Sequence, residues 1–373
     1  MSLRLDTAFA ELALRTGGDT AALAVFRRVL AAEPPPDPAI AWRARRGQAW
    51  ALEKLGRLEE AIAEYRELLV APEAVPGSAD WALLTVGLCR CYRDVGDHAM
   101  SIDLGERALR ELAAAEVEPI HEHLQLGSTL MGCYVVRGDL TSAKLLAEQL
   151  LPLAERADSR VARGAVEWNR SVIAREQGRL ADALELAERA LVLMAEADNE
   201  RHQGMLRVNL ATVLLAGGEP CRAVELLATA HPILADHAQL HEAVFAMALH
   251  AEALVQLGEP DAALGWVARG RARLDGGRQP HWHYRAQLAL AAARARLLAG
   301  QDGPGETELR GCAALLGRAS SARPVAVLWR QLGDVWAERQ QAEEAMTAYQ
   351  TALTVLGLPA APVPVPGRRR ALS

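Results

Sequence analysis

The chain has 373 residues, 51% hydrophobic but only 4% aromatic, with 41 basic against 47 acidic residues and a formal net charge of −6. Ala, Leu and Val supply most of the apolar surface, a vocabulary that favours helices over sheets. A mildly acidic chain with no basic block before its last residues is a poor grip for nucleic acid, so no direct nucleic-acid binding is expected.

All but two of the basic residues are arginines, the exceptions being Lys54 and Lys144. Cys89, Cys91, Cys133, Cys221 and Cys312 contain no C-x-x-C pair and read as packed thiols of a reducing cytoplasm. The opening MSLRLDTAFAELALRTGGD lacks the basic-then-apolar order of a secretory signal. No run of about 18 apolar residues offers a membrane span. The expected location is cytoplasmic.

Single cores stop growing at roughly 250–300 residues, whereas a stack of repeats has no such ceiling. An internal period is present. Gly17, Gly56, Gly96, Gly138, Gly178, Gly218, Gly258, Gly300 and Gln340 follow one another at spacings of 39 to 42 residues. Five residues after each stands a small residue: Ala22, Ala61, Ser101, Ala143, Ala183, Ala223, Ala263, Gly305 and Ala345. Seven before stand Ala10, Ala49, Cys89, Met131, Ser171, Ala211, Ala251, Ala293 and Gly333, small except for Met131. Small residues facing each other across a tight turn let two helices pack closely and antiparallel. Glycine at the turn suits the positive φ at which helices most readily end.

In chain order the pattern predicts paired helices A and B over 2–16/19–32, 40–55/58–70, 79–95/98–115, 119–137/140–157, 160–177/180–197, 199–216/219–235, 238–257/260–275, 281–299/304–318 and 323–339/342–357. Pro and Gly cluster between them in EPPPDP, APEAVPGS and DGGRQP. Nine residues after the turn, Phe26, Tyr65, Leu227, Val267, Leu309 and Tyr349 offer a large side chain to the next unit. The expected organisation is an α-solenoid over 1–357, with sub-blocks 1–75 and 76–357. A disordered tail, PAAPVPVPGRRRALS, holds Arg368, Arg369 and Arg370.

The turn glycine, its flanking small residues and the aromatic nine later resemble the tetratricopeptide repeat. Trp329, Leu332, Gly333, Trp336, Ala345, Tyr349 and Ala352 form the best-matching unit. The period is longer than the 34 residues usual for that family, so each helix should be longer by nearly a turn. The resemblance implies an all-α, right-handed superhelical solenoid of about nine hairpins with a 40-residue period. RCYRDVGDHAMSIDLGERALREL, LGSTLMGCYVVRGDLTSAKLLAEQLLPLAE and RGAVEWNRSVIAREQGRLADALELAERAL are further similar to the C-terminal repeat region of actinobacterial XRE-type helix-turn-helix regulators. Such regulators carry a DNA-binding domain ahead of the repeats. Here the first repeat starts almost at Met1, so DNA binding is not carried over.

Chemistry-bearing motifs are absent: no phosphate-binding G-x-x-x-x-G-K-[ST], no G-x-S-x-G, no H-E-x-x-H. The expectation is a non-enzyme without cofactor or metal. His237, His241 and Glu242 could form a metal face, but His237 is expected in the loop before its helix and no third ligand stands at usable spacing. His281, Trp282, His283 and Tyr284 open a helix and should pack against the preceding repeat. His121 and His123 mark an exposed helix start.

The family's ligand-facing positions lie 13, 10, 9 and 6 residues before the turn. Carried over, they imply a groove that includes Arg46, Trp50, Arg90, Trp168, Asn169, Asn209, Thr212 and Arg294. Asn169 and Asn209 share one slot in adjacent repeats. Their carboxamides could hold a peptide backbone, or bond their own helix or a neighbouring repeat. Trp168 could be an aromatic wall or an inter-repeat wedge, and Arg46 and Arg90 could attract acidic groups. Two functions stay open. One is a regulatory module, sensing or transcription-linked, with a peptide or protein partner in the groove. The other is a scaffold acting through homo-oligomerisation.

Overall fold

The computed structural model describes residues 2–15, 18–115, 120–157, 159–197, 200–237, 240–275, 281–319 and 323–358. These residues hold eighteen helices and no strand. They alternate as expected: α1 (Ser2–Arg15) and α2 (Asp19–Leu30), α3 (Pro38–Lys54) and α4 (Leu58–Leu69), α5 (Ala79–Val95) and α6 (His98–Ala114), α7 (Ile120–Arg137) and α8 (Leu140–Arg156), α9 (Arg160–Glu176) and α10 (Leu180–Glu196). There follow α11 (Glu200–Ala216) and α12 (Pro220–His237), α13 (Leu240–Gln256) and α14 (Pro260–Asp275), α15 (Trp282–Leu298) and α16 (Asp302–Leu316), α17 (Arg323–Glu338) and α18 (Ala342–Val355). The predicted tail and the Gly17 turn lie outside the described residues. His237 is the last residue of α12, not part of the following loop.

The turn residues do what their spacing implied. Gly56, Gly96, Gly138, Gly178, Gly218, Gly258 and Gly300 all have φ between 69° and 90°, and Gln340 adopts φ 61° in the last turn. Around Gly178, the Arg179 amide donates to the Ala174 carbonyl at 2.9 Å, closing the end of α9 across the turn. Asp97 and Asp139, next after their glycines, accept from the amides of Met100 and Ser142 at 3.0 Å and cap the following helix.

The small residues also meet as paired. Ser101 Oγ donates to the Cys89 carbonyl at 3.0 Å, and Ser171 Oγ to the Ala183 carbonyl at 2.8 Å. Even the exception fits, since Met131 is fully buried among Leu130, Leu150 and Ile173.

The chain divides at Gly217 and Gly218 into two compact units, the first holding α1–α11 and the second α12–α18. In the first unit, Leu14, Phe26, Tyr65 and Leu68 build a core running from α1 to α5. Leu124, Leu130, Leu150 and Val166 continue it from α7 to α9. The aromatic nine residues past the turn packs forward, as predicted, at Phe26 on Gly47 and at Tyr65 on Gly87. In the second unit, Val267, Leu274 and Leu288 join α14 to α15, and Leu309, Trp329 and Trp336 join α16 to α17. Tyr349 departs from the forward pattern: it lies on Gly333 of its own hairpin and donates to Asp334 at 3.0 Å.

Trp282 and Tyr284 also part company. Tyr284 packs against the core shared by α13, α14 and α15, whereas Trp282 lies under the Arg318 guanidinium, 5.1 Å away, at the end of its own hairpin.

Candidate functional site

Hydrogen bonds across successive A helices (the odd-numbered ones) show which slots face one another. In the first unit, Arg90, six residues before its turn, binds Glu53, three before the previous turn. Nε to Oε1 is 2.5 Å and Nη2 to Oε2 is 3.0 Å. Tyr65 Oη adds a 2.8 Å bond to Glu53 Oε2. Burial would lower the Arg90 pKa, but the Glu53 carboxylate more than offsets it and holds the guanidinium charged. Burial, then the same carboxylate, pushes the Tyr65 phenol well up.

The other groove arginines are matched in the same way. Arg46 pairs with Asp80, and in the second unit Arg294 pairs with Glu252 at 2.6 Å. Arg43 reaches Glu11 at 2.6 Å. These cations are therefore neutralised by neighbouring hairpins within their own unit, which weakens their pull on an acidic partner. Trp50 is half-buried against the α1–α5 core, with Lys54 Nζ 5.4 Å from its ring centre.

Asn169 and Asn209 occupy the same slot but have different fates. Asn209 is buried: its Nδ2 donates to Ser171 Oγ at 3.2 Å and its Oδ1 accepts from Arg175 Nη1 at 3.1 Å. Arg175 continues to Glu176 at 3.0 Å, so a polar chain runs from the A-helix face down to the Gly178 turn. Asn169 is half-buried and donates to its own helix, at the Ala165 carbonyl, 2.9 Å away. Its Oδ1 accepts from no donor among the described residues. The cause lies one repeat earlier. Where Asn209 faces Ser171 and Arg175, the matching positions before Asn169 are Met131 and Val135, both buried and apolar.

Trp168 is half-buried and packs against the cluster of Ala190, Met194 and Leu206, with the His202 ring edge-on at 6.1 Å. Thr212 Oγ1 returns to the Val208 carbonyl at 2.9 Å. Along α7, α9 and α11, the half-buried residues Ser128, Gly132, Val136, Trp168, Val172, Met205 and Thr212 carry no charge, while Glu167, Arg170, Arg175 and Glu176 of α9 form ion pairs and Arg207 of α11 is half-buried too.

Two features escaped the motif search. A depression of about 350 Å³ lies among α8, α9 and α10. Its rim cations are all partnered: Lys144 by Glu148, Arg170 by Glu167, Arg179 by Asp182, Arg189 by Glu185. In the second unit His231 Nε2 and His250 Nδ1 are hydrogen-bonded at 3.0 Å, and both rings stack on Trp266. Burial first, then the charge of Arg269, holds the His250 pKa down at about 4. For His231 burial, His250 and Arg269 do the same, also to about 4. These residues sit on three different helices, so no short-range spacing announces them.

Among the described residues no three His, Cys, Asp or Glu side chains gather as a metal ion requires. The side chains of His237 and His241 lie outside them. Among the described residues no helix is long and apolar enough to cross a membrane.

No family model and no curated protein matches the chain. Solved structures do. A Rap protein complexed with competence and sporulation factor aligns over 95% of this chain and 97% of its own, with TM-score 0.69 and 13% identity. Aspartyl phosphate phosphatase F from Bacillus subtilis aligns over 98% and 96%, with TM-score 0.60 and 13% identity. A signal transduction ATPase with a tetratricopeptide repeat sensor, from Pyrococcus horikoshii, aligns over 90% of this chain and 52% of its own, with TM-score 0.56 and 12% identity. At such identities the likeness is one of fold, and the fold is an all-α repeat solenoid of tetratricopeptide type.

Proposed function

We propose that the chain is a non-catalytic peptide- or protein-binding module, with the partner lying along the A helices α7, α9 and α11 of the first unit. One observation carries this reading. Ser128, Gly132, Val136, Trp168, Val172, Met205 and Thr212 give three successive A helices a set of uncharged, half-buried positions, and beside them Asn169 keeps a carbonyl oxygen and one N–H without a partner among the described residues. An amide with a free donor and a free acceptor suits bidentate bonding to a peptide backbone whatever its side chains. A Rap protein of similar fold, held in complex with competence and sporulation factor, supports a partner-binding reading. The similarity to the repeat region of helix-turn-helix regulators supports a regulatory role, exerted on transcription through another chain. Selection of random dodecapeptides on the immobilised protein tests the reading. Enriched peptides should bind in solution and lose about tenfold in affinity on Asn169→Ala, about the worth of one hydrogen bond that is left unmade. Failure to enrich any peptide would overturn it.

A scaffold role has one observation in its favour. On α1, Leu5, Phe9 and Leu12 follow a helical spacing of four and three residues and are 63%, 70% and 57% exposed. Self-association through this face predicts a mass that rises with concentration in sedimentation and falls back in Phe9→Glu. A concentration-independent monomer would count against it.

A further inference from the structure

Helical glycines in the first unit act as sockets. A side chain added at Gly47 would strike the Phe26 ring, at Gly87 the Tyr65 ring, at Gly105 Leu130, at Gly127 Leu150 and at Gly164 Met194. In each case a large side chain of a neighbouring helix fills the space that the missing Cβ leaves. Gly132 breaks this pattern. It stands inside α7, half-buried, and nothing lies within 4 Å of where its Cβ would be. The residue weakens its helix relative to alanine, and no packing within the described residues makes use of the gap.

The place of the gap matters. Gly132 lies six residues before its turn, the slot held by Arg90 in α5, Val172 in α9 and Thr212 in α11. In the second unit this slot brings Glu252 and Arg294 of successive A helices into direct contact. In the first unit Arg90 of this slot instead reaches Glu53, three before its turn, and Gly132 leaves its own place in the slot without a side chain. Ser128 and Val136 stand one turn to either side on α7. The Arg90 charge is already neutralised by Glu53, so no uncompensated charge faces the gap from that side.

We infer that Gly132 forms a subsite for one large uncharged apolar side chain, of the Leu, Met, Phe or Trp class, carried by an extended peptide whose backbone Asn169 binds. The inference rests on the peptide-binding reading and names the anchor that these positions select. A charged side chain in the gap is disfavoured, because the half-buried Ser128 and Val136, one turn away on α7, and Val172, in the same slot of α9, carry no charge to compensate its desolvation.

The test reshapes the gap and asks whether the peptide must change with it. Gly132→Ala and Gly132→Leu should keep or raise the melting temperature, since both residues favour helix and the Cβ meets nothing. Dodecapeptides selected on the unmodified protein should share one large apolar residue at a fixed position. Gly132→Leu should bind them at least about tenfold more weakly, the weight of a buried anchor. Peptides reselected on Gly132→Leu should carry Gly or Ala at that position. Unchanged affinity of the original peptides for Gly132→Leu would overturn the subsite while leaving peptide binding intact. Enrichment of no peptide by the unmodified protein would overturn both. If Gly132→Leu does not fold, Gly132→Ala decides: a loss of about threefold supports the subsite, and none overturns it.

Discussion

Replacing Asn209 and Asn169 by alanine, one at a time, separates a structural carboxamide from an available one. Asn209 is only 7% exposed and holds two bonds, one of them from the charged Arg175. A bond to a charged group contributes about 1.5–3 kcal/mol and a neutral one about 0.5–1.5 kcal/mol. Arg175 keeps Glu176 and Ser171 keeps the Ala183 carbonyl, so neither partner is wholly orphaned. The net cost of Asn209→Ala should therefore sit near the lower end, about 2 kcal/mol. For a unit of this size that corresponds to a fall of about 4–8 °C in melting temperature. Asn169 loses only a bond to its own helix at a half-exposed site, and alanine is the better helix former. Asn169→Ala should stay within about 0.5 kcal/mol of the parent. Thermal and urea unfolding followed by circular dichroism read both, and the peptide assay reads the converse pattern for Asn169. Equal destabilisation by the two variants, or an unchanged melting temperature in Asn209→Ala, would refute the division of roles.

Acid should destabilise the second unit in a defined window. His231 and His250 fall from 6.5 to about 4 in the folded state, so both states are neutral above pH 6.5, and below it the unfolded chain takes up protons first. Stability should drop between about pH 6.5 and 4, by up to roughly 3 kcal/mol for the buried His250, and His250→Phe should flatten that slope in urea titrations. Gln340→Gly should raise stability by about 1 kcal/mol, because a side chain now occupies φ 61°; no rise on calorimetry would mean the Gln340 side chain compensates. Glu53→Gln should cost about 1.5–3 kcal/mol, because the buried Glu53 is the charged partner of an Arg90 side chain that is 30% exposed, visible as a shift in urea midpoint. A double variant that also carries Arg90→Met should recover most of the loss.

What the sequence discloses and what it withholds follow from the range of the interaction. A turn demanding positive φ is a local backbone requirement, so Gly96 and Gly178 mark their hairpins to within a residue or two. Small-residue pairs such as Ser171 and Ala183 act across a single turn and are nearly as legible. The ion pairs Arg90–Glu53 and Arg294–Glu252 are not, because pairing between successive A helices depends on how each hairpin is rotated on the last. Arg90 reaches a residue three before the earlier turn and Arg294 one six before it. Asn169 and Asn209 show how far the slot alone can mislead. Equal spacing makes them equivalent, yet the residues that face them are inherited from the preceding repeat. Ser171 and Arg175 capture Asn209, while Met131 and Val135 have nothing to offer Asn169, whose amide turns back on its own helix. Gly132 differs in kind from Gly47 and Gly87, which stand nine residues before their turns and receive Phe26 and Tyr65: six before its turn, it meets nothing within 4 Å of its missing Cβ. In a repeat protein, then, the position within a repeat says where a side chain points, and the facing residues of the repeat before it decide whether that side chain is left for a ligand.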